Sequence, residues 1–154
     1  MKMFSGFKVA TLDGDSFRKV VSKDLGFSPE DSIVNINRAA TAALTLTSEY
    51  HVVLCSFVSP NRRQRESIKQ RQLEAGARFV EVFVDTPLSE CIRRDPKGLY
   101  DKALREDDNL LLDEALYEKP IKPDLSICTM ELSVSECSEL AYLAIRERLK
   151  DEQP

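Results

Sequence analysis

Short runs rich in β-branched and aromatic residues alternate with longer amphipathic runs along the whole chain, and that alternation decides the fold class. Lys8 to Leu12 (KVATL), His51 to Phe57 (HVVLCSF), Phe79 to Val84 and Asp124 to Thr129 read as strands. Helical stretches lie between and after them. Asp15 to Asp24 suits a short helix. Ser28-Pro29-Glu30-Asp31 is a helix start, with Ser28 as cap, Pro29 in the first helical position and Asp31 where a capping box takes an acid. That helix is expected to run to about Tyr50, with Ile33, Ile36, Ala40, Ala43 and Leu44 on one face. Asn61 to Ala75 is polar and helical, ended by Gly76. Pro87 to Arg94 is short, and Ser133 with Glu136 opens a last helix whose apolar face is Cys137, Leu140, Ala141, Ala144 and Ile145. Strands separated by helices argue for an α/β fold with a parallel sheet and helices on both faces. The 154 residues suit a single domain, 1–154.

In such folds a ligand binds beyond the carboxyl ends of the strands. That rule selects Asp13-Gly14-Asp15, Val58-Ser59-Pro60-Asn61, Asp85-Thr86-Pro87 and the turn after Thr129. Asp13 and Asp15 flank a glycine at a strand end. Two carboxylates there can hold magnesium, take a proton from a hydroxyl or bind a ribose, and the same tripeptide is also an ordinary turn. Arg18 follows one helical turn on. Arg62, Arg63 and Arg65 come after the second strand, and Arg93, Arg94 and Lys97 after the third. Cations gathered on one rim suit a phosphate- or sulfate-bearing ligand; singly, each also suits a solvated helix face.

The formal net charge of −4 gives no basic footprint, so nucleic acid is not an expected partner. No apolar run is long enough for a membrane span, and Met1 to Gly6 lacks the apolar core of a signal peptide, so a cytoplasmic address is expected. The four cysteines, Cys55, Cys91, Cys128 and Cys137, lack metal-site spacing and are expected to be buried, reduced thiols.

Several stretches resemble the adenylyl-sulfate kinase (APS kinase) family. They are Leu12-Asp13-Gly14-Asp15, Leu25-Gly26-Phe27-Ser28-Pro29-Glu30-Asp31, and Phe83-Val84-Asp85-Thr86-Pro87-Leu88 leading to Arg94-Asp95-Pro96-Lys97-Gly98-Leu99-Tyr100. Ser56-Phe57-Val58-Ser59-Pro60, Tyr117-Glu118-Lys119-Pro120 and Pro123-Asp124-Leu125 are similar to further landmarks. The resemblance implies a three-layer fold of the P-loop nucleotide kinase kind. It also implies transfer of the ATP γ-phosphate to the 3′-hydroxyl of adenylyl sulfate, with magnesium accompanying ATP. By matched position, Asp13 and Asp15 form the metal and acceptor-hydroxyl corner, with Ser59 beside them as a hydrogen-bonding rim residue. Arg18, Asn35 and the Val58-Ser59 backbone would hold adenylyl sulfate, Phe27 would stack on its adenine, Lys97 would meet phosphate charge, and Leu110 stands where the family's lid aromatic closes. A second copy of the chain and an ATP sulfurylase are the protein partners the resemblance suggests.

The departures are equally specific. The family's chain opens with a strand and a Gly-x-x-x-x-Gly-Lys-Ser/Thr loop, whose amides cradle the ATP phosphates. The five glycines here, Gly6, Gly14, Gly26, Gly76 and Gly98, start no such loop. The chain therefore reads as an N-terminally truncated member, with the first strand and phosphate-binding loop missing and an unpaired edge expected in the sheet. On the substrate side, Asp-Asn-x-Arg becomes Asp15-Ser16-Phe17-Arg18, Asp-Arg becomes Asp31-Ser32, Arg-Arg becomes Asn37-Arg38, and the lid's Phe-Thr-Gly becomes Leu110-Leu111-Leu112. A catalytically inactive nucleotide-binding, regulatory or remnant domain is the alternative these losses leave open.

Overall fold

The computed structural model describes residues 4–106 and 117–150. The elements run β1 (Val9–Asp13), α1 (Gly14–Val20), α2 (Pro29–Leu46), β2 (Val52–Ser56), α3 (Arg62–Glu74), β3 (Val82–Asp85), α4 (Leu88–Arg94), α5 (Leu99–Glu106), β4 (Leu125–Cys128) and α6 (Val134–Lys150). The strands form two parallel pairs, β1 with β2 and β3 with β4. The chain divides into two compact units between Phe79 and Val80.

In the first unit, β1 and β2 pair from Val9↔Val52 to Asp13↔Ser56. Both strands therefore end together, with Asp13 beside Ser56. Parallel pairing demands a crossover, and α1 and α2 supply it. Ile36 and Ala40 of α2 pack with Ile68 of α3, and Phe57 and Phe79 close over them. Phe17 of α1 is buried and meets Phe57 edge-on at 5.7 Å. The Gln72 amide, buried between α2 and α3, donates to the Ala40 carbonyl at 2.8 Å, so its polar group enters the core already satisfied.

Helix α2 departs from its periodicity in two ways. Ile33 is exposed, and Asn35 is buried instead. The helix also stops at Leu46 rather than near Tyr50. The Thr47 and Ser48 hydroxyls donate to the carbonyls of Leu44 (2.6 Å) and Thr45 (2.9 Å), and their amides bond three residues back to the same carbonyls. These contacts tighten and end the last turn. Helix α3 starts where Asn61 accepts from the Gln64 amide at 2.8 Å. It ends with Gly76 at φ +80, whose amide bonds Leu73 while Ala77 bonds Gln72. This is the left-handed helix stop that glycine fits best.

In the second unit, β3 and β4 pair from Val82↔Leu125 to Asp85↔Cys128. The sequence pattern starts the third strand at Phe79; β3 begins at Val82. Just before it the Asp124 carboxylate accepts from the Glu81 amide at 2.9 Å, and Arg148 of α6 holds the other carboxylate oxygen at 2.7 Å. Helix α5 was not signalled by the sequence pattern. Gly98 turns the chain at φ +64, and the Asp95 carboxylate then accepts from the Leu99 and Asp101 amides at 2.9 Å each. The expected box at α6 is complete: Glu136 accepts from the Ser133 amide at 2.8 Å, and Ser133 Oγ accepts from the Glu136 amide at 3.3 Å. All four cysteines are free thiols. Their expected burial is corrected, since Cys55 is exposed and the other three are half-buried. Among the described residues no helix is long and apolar enough to cross a membrane.

Candidate functional site

At the shared carboxyl end of β1 and β2, the chain turns directly into α1. Asp13 caps this helix, accepting from the Ser16 amide at 3.0 Å, and Asp15 lies in its first turn; both side chains are exposed. Gly14 between them stands in a crowded place. A Cβ there would come within 3.2 Å of the Phe57 ring and 3.3 Å of the Ser56 carbonyl. Asp13 pairs with Ser56 at the β2 end, which continues into Val58 and Ser59. Val58 is 74% exposed. Ser59 is turned inward, its hydroxyl buried and without a hydrogen-bond partner among the described residues. Its carbonyl accepts from Arg65 at 2.6 Å, and the Pro60 carbonyl takes a second bond from the same guanidinium.

Arg18 projects from α1 to the loop before α2. Its Nη1 bonds the Gly26 carbonyl, and its guanidinium carbon sits 4.7 Å from the centre of the Phe27 ring. Phe27 is 73% exposed, an aromatic face left open to solvent. The loop beneath it is fixed from α2. Ser28 caps the helix through the Asp31 amide at 3.1 Å. Asp31 does not return the bond to Ser28 as a capping box would; its carboxylate accepts from the Gly26 amide at 2.9 Å. Arg38, two turns further along α2, grips both oxygens of Asp24, at 2.6 and 2.8 Å, and reaches the Val21 carbonyl at 3.3 Å. The hydrogen-bonded guanidinium holds the Asp24 carboxyl down at about 2, so the pair is fully ionised at neutral pH.

Asn35 faces inward on the same helix. It is 4% exposed and its Oδ1 has no hydrogen-bond partner among the described residues. A buried carbonyl oxygen without a donor is uncommon and marks a place where a donor group fits. Gln64 donates to the neighbouring Ile33 carbonyl at 2.8 Å, which fastens the start of α3 to this part of α2.

The second unit has its own cluster at the carboxyl end of β3 and β4. The Thr86 and Thr129 hydroxyls are 2.6 Å apart, and Arg94 donates to Thr129 Oγ1 and its carbonyl, both at 2.9 Å. Glu90 receives Arg93 and Arg94, each at 2.6 Å, and these guanidinium bonds hold its carboxyl down at about 2. Asp85 at the end of β3 pairs with Lys119 at 3.2 Å. Lys97 is exposed in the Asp95–Gly98 turn. Leu110 lies outside the described residues.

Of the residues expected at the site, Asp13 and Asp15 lie at the β1 end and Val58 and Ser59 follow the adjacent β2 end, while Arg18 joins Phe27; the Ser59 hydroxyl, expected to hydrogen-bond on the rim, is buried instead. The Asp24–Arg38 pair has no counterpart in the sequence reading, which also gives Asp31 the role of a capping acid rather than the Gly26 bond it makes. The pair's signal was weak: an acid and a cation 14 positions apart carry no periodicity.

The family model for adenylylsulphate kinase matches residues 2–128. The bifunctional enzyme NodQ of Rhizobium meliloti (strain 1021) is 46% identical over 120 residues, 77% of this chain and 18% of that protein. The adenylyl-sulfate kinase of Saccharomyces cerevisiae is 38% identical over 135 residues, 85% of this chain and 65% of that protein. The chain thus spans less than two thirds of these relatives. Among solved structures, the Mycobacterium tuberculosis APS kinase CysC in complex with AMPPNP and APS superposes with a TM-score of 0.86. Its sequence identity is 35%, covering 92% of this chain and 82% of that one. A hexameric APS kinase from Thiobacillus denitrificans superposes at 0.65 with 27% identity, over 93% of this chain and 23% of that one.

Proposed function

This chain belongs to the adenylylsulphate kinase family, and from that membership we propose that it binds adenylyl sulfate and presents the 3′-hydroxyl for phosphorylation by ATP. The observation that carries the reading is the exposed Phe27 ring, backed by Arg18 on a loop pinned at Gly26 from both sides. A planar base needs such a face, and stacking on an aromatic side chain is a strong sequence-tolerant way to hold one. The unpartnered Asn35 Oδ1 suits a nucleotide N–H or hydroxyl donor.

The transfer step asks for positioning and charge neutralisation more than covalent chemistry. Magnesium fits the Asp13 and Asp15 pair. It takes one or two protein carboxylates and keeps waters and phosphates for the remaining positions, and both side chains are on the exposed rim. Among the described residues no group of three or more acidic, histidine or cysteine side chains forms a protein-only metal cage. When bound there, the ion would neutralise charge on the transferring phosphoryl group. One of these two carboxylates, Asp13 or Asp15, would take the proton of the attacking hydroxyl. The cytoplasm, where ATP is supplied, is the compartment this reaction suits.

A second reading, binding without turnover, is favoured by one observation. The 154 residues contain no Gly-x-x-x-x-Gly-Lys-Ser/Thr sequence, so these residues by themselves offer no P-loop nest for the ATP phosphates. Two measurements on the purified chain separate the readings: calorimetric titration with adenylyl sulfate, and release of ADP from magnesium-ATP in its presence. Saturable binding with ADP release supports the kinase. Binding without release supports the second reading. Absence of any saturable adenylyl-sulfate binding refutes both.

A further inference from the structure

Phe27 is unusual as a binding platform because almost nothing packs against it. A side chain 73% exposed on a loop should sample many orientations, and a platform that moves must be ordered when the ligand arrives. The loop from Val21 to Ser28 has few backbone bonds of its own to prevent this. Leu25 donates to the Ser22 carbonyl at 3.1 Å, and the amides of Val21 and Ser22 reach back to Phe17. Its order comes instead from side chains of the flanking helices.

We propose that the Asp24–Arg38 pair is a positioning clasp that presets Phe27 for the nucleotide base. The inference rests on the reading that adenylyl sulfate stacks on Phe27. Arg38 stands on α2, whose Ile36, Ala39 and Ala40 are buried, so its backbone is held by the core of the unit. From that anchor it makes three contacts to the loop: two parallel bonds to the Asp24 carboxylate and one to the Val21 carbonyl. Two parallel bonds between planar groups fix orientation as well as distance. Two residues beyond Asp24, Gly26 is held by a second set of bonds, its carbonyl to Arg18 and its amide to Asp31. A Cβ at Gly26 would come 2.9 Å from Asp31 Oδ2, so the carboxylate that accepts from the Gly26 amide would have to shift. The clasp at Asp24 and the pin at Gly26 therefore hold the segment on either side of Leu25, leaving Phe27 one residue from a fixed point. Arg38 is a positioning residue; it is not proposed to touch the nucleotide.

The test combines two variants and two readouts. Arg38→Met removes the guanidinium while keeping an unbranched side chain, and Asp24→Asn removes the charge while keeping the shape. Amide hydrogen exchange at Leu25 and Gly26 reads the order of the loop without any ligand. Titration with adenylyl sulfate reads the platform. Both variants should speed exchange at these amides relative to Ile36 and Ala40, which control for global unfolding. They should weaken adenylyl sulfate by about threefold to tenfold. On a Phe27→Ala background, either variant should cost no further affinity, and Arg38→Lys should recover part of the loss. Unchanged exchange at Leu25 and Gly26 overturns the proposal. So does an affinity loss that persists undiminished without Phe27, because the pair would then act by another route. If the unaltered chain binds no adenylyl sulfate, the functional reading falls, and with it the clasp's role in binding. Faster exchange in the variants would then support only a clasp that orders the loop.

Discussion

Replacing Phe27 by Ala separates a binding role from a structural one, because the structure predicts opposite sizes for the two effects. The ring is 73% exposed, so its truncation removes little buried apolar area. Arg18 sits 4.7 Å from the ring centre, a cation–π pair worth about 0.5–1 kcal/mol at an exposed site. Folding stability should therefore fall by no more than about 1 kcal/mol. Binding should fall much further. A base stacked on an aromatic side chain contributes about 1–3 kcal/mol, and roughly 1.4 kcal/mol is a factor of ten. Adenylyl sulfate affinity should drop between about fivefold and 150-fold while the thermal midpoint moves by a few degrees. Phe27→Tyr should retain most of the affinity, since the face is kept. Calorimetric titration beside thermal unfolding monitored by circular dichroism provides both numbers. Unchanged affinity in Phe27→Ala would show that the base lies elsewhere. A large loss of stability would show that the ring serves the fold.

Ile36→Ala should destabilise the chain by about 2–5 kcal/mol in denaturant titration, because Ile36 is buried against Ala40 and Ile68 and its removal leaves a void. Gly76→Ala should cost about 1 kcal/mol, read as a lower denaturation midpoint, since φ +80 at the end of α3 strains any residue with a Cβ. Glu90, held at about 2 in the fold against an ordinary 4.5, contributes stability that is fully present above pH 4.5 and disappears as pH falls towards 2. Thermal midpoints of the unaltered chain and Glu90→Gln should therefore differ at pH 6 and converge near pH 2.

Most of the element order was legible because it rests on local signals. The Ser28 and Ser133 caps, the Asn61 start and the Gly76 stop are read from adjacent residues and recur in the structure where the pattern places them. The failures have equally local causes. Helix α5 depends on Asp95 collecting two amides after a left-handed Gly98, a geometry that a short polar run does not announce. The end of α2 depends on hydroxyls choosing backbone carbonyls over solvent. Asn35 broke the apolar face because burial follows the position on the helix rather than polarity, and its orphan oxygen is what makes the exception informative.

The cations teach a different lesson about the site. Arginines gathered after strand ends suggest a rim charged for an anion, and counted as charges they would all contribute. In the first unit many of their donors are turned inward. Arg18 bonds the Gly26 carbonyl, Arg38 closes on Asp24, and Arg65 bridges the carbonyls of Ser59 and Pro60. Arg71 reaches Asn37 at 3.2 Å and Thr41 at 3.4 Å, tying α3 to α2. A guanidinium has five donors in a rigid plane, so it can splint two segments and still present charge at its edge, which a single ammonium does less well. Asn37 also changes meaning in this light. Its neutral side chain stands where the family pattern has a cation, and it accepts the bond that Arg71 brings from the next helix. The loop and strand ends that carry the nucleotide-facing groups are thus built from the same residue type that a ligand's phosphate and sulfate would attract. Arginine substitutions in this unit should therefore be judged first by what happens to the loop they brace, and only then by lost attraction for an anion.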